Sequence, residues 1–469
     1  MVGKKYLPLW IMSAVAGVLY LFHLGSFPLY DYDEAIYARI AVATLQHHSF
    51  FTLYDLTKTW FEKPPLYIWA VMTSVRTFGI SEWSVRLPSA LCGVAAVALV
   101  YLLALEMTDD ATVSTLAAAA LLLMPFFYFE GRQSRMDIPV IAAMLFALFA
   151  FIKGQKGKRW FILMGVALAA AVMIKSVIGL LVGVPIVLFA YFFGEWAWIR
   201  SKYFWAGIGV GLLLLLPWHF YELWHFGNGF WSVYFTQQVF ARAVTGLGGD
   251  VTTFTYLQLL WFELVPWTQV AILLIPLFFW MKWNDVRTKI AALGIGTAVI
   301  YFALFAAART KIGEYLLPLF PFLALFIAAG LSSLRNIIPS LPRWIWLAIV
   351  SIILSIGLYF TLRIQFVDFD RWYVPAYDER GIGERIAAYP STIPVYSYEI
   401  PQVESLLFYG ERPIIQRSSD APPQRGPFLF ITQNRLTPEL MDIPAYTQAK
   451  LAYDGDVFML LFVSSSTSP

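Results

Sequence analysis

The feature that most constrains this chain is a succession of apolar runs about 20 residues long, each sufficient to cross the hydrocarbon core of a bilayer. A soluble fold of this size could not hide them. Hydrophobic residues make up 59% of the 469-residue chain and charged residues 13%, against roughly 25% charged in soluble domains. In lipid each backbone polar group needs a partner within its own segment, so the runs are expected to be helices. About eleven spans are expected, near residues 7–27, 87–106, 111–128, 137–153, 159–174, 177–194, 203–218, 263–281, 290–308, 314–332 and 343–362. Lys4 and Lys5 precede the first run and no small-residue cleavage site follows it, which marks it as an uncleaved membrane helix. The formal charge of +3 supplies no basic field for nucleic acid. Cys92 is the single cysteine, so disulfides and cysteine-based zinc sites are excluded.

Loop charge orients the spans. With the N-terminus inside, Lys153, Lys156, Lys158 and Arg159, then Arg200 and Lys202, then Lys282, Arg287 and Lys289, then Arg335 and Arg343, all fall on the cytoplasmic side. Two long segments, about 28–86 and 219–262, then lie outside, and an odd span count places residues 363–469 outside as well. The expected architecture is an α-helical polytopic membrane domain, 1–362, followed by a small extracytoplasmic α/β domain, 363–469. Runs at Ile393–Tyr398, Pro427–Thr432 and Val457–Val463 read as strands, with a helical pattern at Glu379–Tyr389 before them.

The chemistry is concentrated outside. After the first span comes Tyr30-Asp31-Tyr32-Asp33-Glu34-Ala35-Ile36-Tyr37-Ala38-Arg39, helical in pattern from Asp33 onward. Asp33 stands at the positive end of that helix, either as a cap or as an acid with work to do. A second cluster, Trp60-Phe61-Glu62-Lys63-Pro64-Pro65-Leu66-Tyr67, leads into another apolar helix. Its prolines fix the chain at the helix start, with Glu62 and Lys63 at the mouth. A lysine among aromatics at a lipid interface suits either a solvated ion pair or a lipid-linked phosphate. Arg132, Arg135, Lys175, Arg242, Arg309 and Lys311 also fall at outer membrane ends, against the positive-inside bias. The glycine-rich stretch Thr245–Asp250 lacks the context of a phosphate loop and reads as a mobile outer loop.

Taken together these motifs resemble the GT-C glycosyltransferases, most closely the bacterial aminoarabinose lipid A transferases and the related protein O-mannosyltransferases. The resemblance runs through Asp33-Glu34-Ala-x-Tyr37, Phe61–Tyr67 and Arg86-Leu87-Pro88-Ser89. It continues through Arg135-Met136-Asp137-Ile138-Pro139, Ile174–Gly179, Leu216-Pro217-Trp218, Val265-Pro266-Trp267 and Lys311–Pro321. It implies a multi-pass enzyme of the plasma (inner) membrane, with a polyprenyl-phosphate-linked sugar as donor and a lipid or glycan as acceptor. It implies Asp33 as the base or orienting acid, and Glu34 as the acid behind it or a metal contact. Lys63, Arg39, Lys175 and Lys311 are implied at the donor phosphate, and Tyr37, Arg135, Asp137, Arg242 and Tyr315 at the substrate and acceptor. Direct attack at the anomeric carbon would invert it.

Three departures qualify the likeness. Ile36 stands where the aminoarabinose transferases usually carry arginine, with Arg39 one turn later. Gln237 and Gln238 occupy a neighbourhood where the family often has a metal-holding histidine, so no cofactor is certain. A divalent cation at Glu62, magnesium or manganese rather than zinc, remains an open expectation. The short tail shows no sign of the inserted domain of the larger mannosyltransferases. The rival class is a transporter or flippase of lipid-linked substrates, but the expected charges gather at one face and no paired repeat is visible. The sequence leaves the sugar, the acceptor and the oligomeric state open.

Overall fold

The structure is a computed structural model that describes residues 2–30, 32–242, 245, 252–368, 374–400, 403–417, 427–436, 446 and 449–464. The glycine-rich stretch at 246–250 and the Ser/Thr tail beyond 464 lie outside these residues. The chain divides into two compact units. One comprises Met1–Phe22, Phe61–Tyr67 and Leu87–Gln365, and the other His23–Trp60, Ile68–Arg86 and Phe366–Pro469.

The first unit is helical. Among the described residues seven helices are long and apolar enough to cross a membrane: Glu82–Thr108, Asp137–Lys156, Trp160–Phe193, Lys202–Phe226, Val286–Ala307, Gly313–Leu334 and Arg343–Val367. Two bent pairs, Ala111–Leu122 with Pro125–Gly131 and Thr253–Phe262 with Trp267–Phe278, raise the number to nine if each pair is one span. The difference from eleven has physical causes. The first helix, Val2–Leu21, starts before the expected 7–27 run, ends within it, and holds Lys4, Lys5 and Pro8. The runs expected at 159–174 and 177–194 form one stretch, Trp160–Phe193, interrupted by a 3₁₀ segment at Ser176–Val182. That segment folds back, because a Cβ on Gly179 would meet the backbone of Ala171 and Val172.

Two local devices hold this bundle together. Pro125 has no N–H and pushes Met124 into an extended conformation, so the helix bends by 68°. The carbonyl left over at Leu123 is recovered by the Trp267 indole at 2.6 Å and the Thr361 hydroxyl at 3.0 Å, as a group inside lipid requires. Elsewhere Gly165 faces Gly207 and Gly211, where any Cβ would strike the opposing backbone. Small residues let two membrane helices approach this closely and gain dispersion contacts.

The second unit contains the helix Asp33–Gln46 and a short hairpin of β1 (Leu53–Asp55) and β2 (Lys58–Trp60). It also holds a sheet of β3 (Val395–Tyr398), β4 (Ile414–Arg417), β5 (Phe428–Gln433), β6 (Lys450–Asp454) and β7 (Phe458–Val463), in the order β4-β3-β5-β7-β6. β3 runs parallel to β4 and β5, whereas β7 is antiparallel to β5 and β6. Both faces of the sheet are apolar. Val395, Leu429, Ile431 and Leu460 pack with Ile382, Ile386 and Leu406, while Phe428, Phe430, Met459 and Leu461 surround Tyr446 on the other side. The helix Val374–Ala387 is tied to the β6–β7 turn by Asp378, whose carboxylate accepts the N–H groups of Asp456, Val457 and Phe458 at 3.1, 2.6 and 3.0 Å.

Candidate active site

In the second unit the helix Asp33–Gln46 begins on a strained residue. Tyr32 is its N-cap, at φ 78° and ψ −131°, and supplies no side-chain cap. A non-glycine residue rarely adopts this backbone, and such strain gathers at functional positions. Asp33 is the first helical residue and half-buried, so its charge sits in the positive end of the helix without being the cap itself.

Glu34, one residue on, turns inward. Its two oxygens meet Arg86 Nε and Nη2 at 2.8 and 2.9 Å, and Tyr30 N–H donates to it at 2.7 Å. Arg86 spends its remaining donors on the carbonyls of Leu24, Phe27 and Pro28. With side chains 0% and 3% exposed, Glu34 and Arg86 form a buried pair that fixes the backbone leading into Asp33. Both Glu34 oxygens are thus engaged by Arg86 and the Tyr30 N–H.

Arg39, expected at the donor phosphate, is instead buried in this unit. It holds Asp55 in a fork at 2.6 and 2.9 Å and Glu404 at 2.6 Å. Burial opposes its charge, but these two carboxylates more than offset it and raise its pKa. Tyr37 is also buried and packs edge-on against Trp60.

In the first unit the structure gathers residues from distant parts of the chain. Lys63 is 9% exposed and donates to Gln238 Oε1 at 2.7 Å. Gln238 Nε2 in turn donates to Glu62 Oε2 at 3.0 Å. Gln238 lies on a π-helical segment, Ser232–Ala241, with Arg242 next at its end. π-Helical turns are uncommon and recur at functional sites.

A second cluster is more strongly charged. Lys175 meets Asp137 at 2.5 Å and stands 5.9 Å from the centre of the Tyr315 ring, while Arg242 donates to the Tyr315 hydroxyl at 3.2 Å. Arg135 bridges Glu314 at 2.8 Å and Glu130 at 3.2 Å. The two parts are coupled electrostatically, since Glu130 feels the charges of Asp137 and Lys175. Lys175 ends its helix just before Ser176, another non-glycine residue at positive φ, 52°.

Five expected residues (Arg135, Asp137, Lys175, Arg242 and Tyr315) thus come together. The Arg135 turn is pinned by hydroxyls. Tyr67 OH meets Ser89 Oγ at 2.9 Å and Ser134 Oγ at 3.0 Å, and Ser89 donates to the Arg135 carbonyl at 2.8 Å. Lys311 is half-buried and donates to the Ala308 carbonyl at 2.7 Å.

Arg132, one of the outer cations, has structural work. It donates to the carbonyls of Leu19, Tyr20 and Phe22 at 2.6, 2.9 and 2.7 Å, closing the end of the first helix. Glu130, Glu314 and Gln238 were not singled out as site residues from sequence. A lone acid in an apolar stretch, as Glu130 is, carries a signal of its own. The pairings of the other two depend on tertiary structure.

The divalent cation expected at Glu62 is not tested by this arrangement, because magnesium takes one or two carboxylates and fills its shell with water. Among the described residues no three His, Cys, Asp or Glu side chains gather. The Glu62 carboxylate engages the Gln238 amide, with the Lys63 ammonium on the same amide.

The whole chain superposes on ArnT from Cupriavidus metallidurans bound to undecaprenyl phosphate, with a TM-score of 0.77 over 98% of each chain at 17% identity. The fold is that of the GT-C glycosyltransferases. The oligosaccharyltransferase of Archaeoglobus fulgidus is a more distant match, at TM-score 0.60 and 12% identity over 92% of this chain and 70% of that one. In sequence, a family profile described as dolichyl-phosphate-mannose-protein mannosyltransferase matches residues 62–221. The undecaprenyl phosphate-alpha-4-amino-4-deoxy-L-arabinose arabinosyl transferase 2 of Pseudomonas fluorescens (strain Pf0-1) is 26% identical over 376 residues, covering 73% of this chain and 66% of its own length. Other arabinosyl transferases are matched over 53 to 58% of their length. The chain is thus similar to both families named by its motifs.

Proposed function

We propose that this chain is a membrane glycosyltransferase that moves a sugar from a polyprenyl-phosphate donor to an envelope acceptor at the outer face of the inner membrane. The N-terminus lies in the cytoplasm and the 363–469 α/β portion outside, following the charge bias of the loops. The observation that carries the reading is Lys63. It is a buried ammonium beside the Pro64–Pro65 turn, on a fold that matches a protein bound to undecaprenyl phosphate over its whole length.

The chemistry is a displacement at the anomeric carbon. An acceptor oxygen forms the new bond to that carbon, the bond from carbon to phosphate oxygen breaks, and its electron pair leaves with the polyprenyl phosphate. Asp33 takes the acceptor proton, and Lys63 stabilises the charge that develops on the departing phosphate. Attack opposite the leaving group inverts the configuration. Lys175 and Lys311 are assigned to the donor's negative charge, and Arg135, Asp137, Arg242 and Tyr315 to the sugar and acceptor. The acceptor class is a lipid or polysaccharide. The match to the mannosyltransferase profile favours a protein hydroxyl as the second reading.

Lys63→Ala tests the donor assignment. A hydrogen bond to a charged group contributes about 1.5–3 kcal/mol, so undecaprenyl phosphate should bind roughly 10- to 100-fold more weakly to the variant in nanodiscs. Equal binding by the two proteins would remove Lys63 from the phosphate site.

A further inference from the structure

We infer that the protein binds an anionic phospholipid, through its phosphodiester, in a pocket on the membrane face opposite the candidate active site. The pocket holds about 360 Å³ and lies where the helices Val2–Leu21, Glu82–Thr108 and Asp137–Lys156 meet at one end. Asp137, which pairs with Lys175 in the active-site cluster, begins the last of these helices, and Lys153 and Lys156 stand in its final turn. At the rise of an α-helix they are about 25 Å from Asp137, most of the thickness of a hydrocarbon core. None of the residues assigned to the donor lines this pocket.

The lining combines an apolar part, Leu102, Leu105 and Phe149, with a charged one. Three ammonium groups, of Lys5, Lys153 and Lys156, face the carboxylates of Glu106 and Asp109. Lys5 meets Asp109 at 2.5 Å, so Glu106 is left for the other two. Lys153 reaches one of its oxygens at 3.1 Å and Lys156 the other at 2.8 Å. One carboxylate between two ammonium groups leaves one positive charge over. The two lysines are neighbours on a helix face, where like charges repel, so a further anion is favoured beside them. A phosphodiester carries that single negative charge, and its glycerol and acyl part can meet the apolar lining. Basic pockets between membrane helices take acidic head groups in this way. A zwitterionic head group brings no net charge and leaves the excess in place. The cations are also held in advance. The buried Tyr101 hydroxyl donates to the Lys5 carbonyl at 2.5 Å, and the Lys153 ammonium stands 5.8 Å from the centre of the Trp160 ring.

The test uses purified full-length protein in detergent, with dioctanoyl phosphatidylglycerol as the probe and native mass spectrometry as the readout. This lipid should bind about fivefold more tightly than dioctanoyl phosphatidylethanolamine, as one additional exposed ion pair allows. Lys153→Gln with Lys156→Gln should weaken its binding by about tenfold or more. Lys156→Gln alone, at an exposed position that the fold does not need, should weaken it by about threefold. Glu106→Gln removes the competing carboxylate and should strengthen it by about threefold. Lys202→Gln, at an exposed lysine outside the pocket, should leave binding unchanged. Inorganic phosphate in excess should not displace the lipid, because it makes no contact with the apolar lining. Melting temperatures near wild type would show that the variants are folded.

Equal binding of the two lipids, wild-type affinity in both lysine variants, weaker binding in Glu106→Gln, or an equal loss in Lys202→Gln would each overturn the inference. Displacement by inorganic phosphate would make the pocket a free-anion site and overturn the lipid as its occupant. Loss of donor binding in Lys63→Ala bears only on the donor reading, since Lys63 does not line this pocket.

Discussion

Asp33→Asn is expected to lower sugar transfer by about 10²- to 10⁴-fold, the usual contribution of a positioned general base. Binding of undecaprenyl phosphate should stay within about twofold of wild type, because the carboxylate is assigned to the acceptor proton and not to the donor. The substitution keeps the size of the side chain and its place in the first turn of Asp33–Gln46. Loss of the favourable helix-end charge should destabilise the fold by no more than about 1 kcal/mol. Single-turnover transfer in nanodiscs, measured beside donor binding, separates the two effects. A variant that transfers at the wild-type rate would remove Asp33 from the chemistry, and one that loses donor binding in parallel would make its role structural.

The second large effect concerns stability. Arg86→Met should destabilise the protein by about 3–5 kcal/mol, since it leaves the Glu34 carboxylate buried without its partner. It also abandons the carbonyls of Leu24, Phe27 and Pro28, which Arg86 satisfies. Adding Glu34→Leu should recover part of the loss, because removing both charges is far less costly than removing one. The carbonyls would still lack donors, so full recovery is not expected. Thermal melts in detergent measure both variants. An Arg86→Met protein that melts with wild type would contradict the assignment of Glu34 as the anchor of the Asp33 turn.

Much of the fold was legible because lipid imposes simple rules. Apolar runs announce helices, whereas the bend at Pro125 falls inside the single span expected at 111–128. The first helix was misplaced because the apolar run from Leu7 continues past Leu21, although the helix itself ends there. In the tail, β3, β5 and β7 were visible as apolar runs. β4 and β6 do not stand out because they are largely exposed and polar, with Gln416, Arg417, Lys450 and Asp454 among their residues. Their strand character comes from pairing with neighbours, which a single sequence does not display.

The site divides in the same way. Residue types with a chemical purpose, such as Asp33, Lys63 and Lys175, stood out through their context. Partners did not: Glu34 meets Arg86 52 positions away, and Lys63 meets Gln238 175 positions away. Arg39 was assigned to phosphate because it follows Ile36 by one turn, yet Asp55 and Glu404 claim it. Gln238 was read from sequence as the absence of a metal ligand, whereas the structure gives its amide two partners of opposite charge.

The central claim, that sugar moves from a polyprenyl phosphate to an envelope acceptor, is tested most directly by mass spectrometry of envelope lipids, glycans and glycopeptides from cells with and without this protein. The account predicts that one glycan mass disappears from an acceptor while the corresponding polyprenyl-phosphate sugar accumulates, and that wild type but not Asp33→Asn restores the mass. Identical acceptor and carrier profiles in the presence and absence of the protein would contradict it.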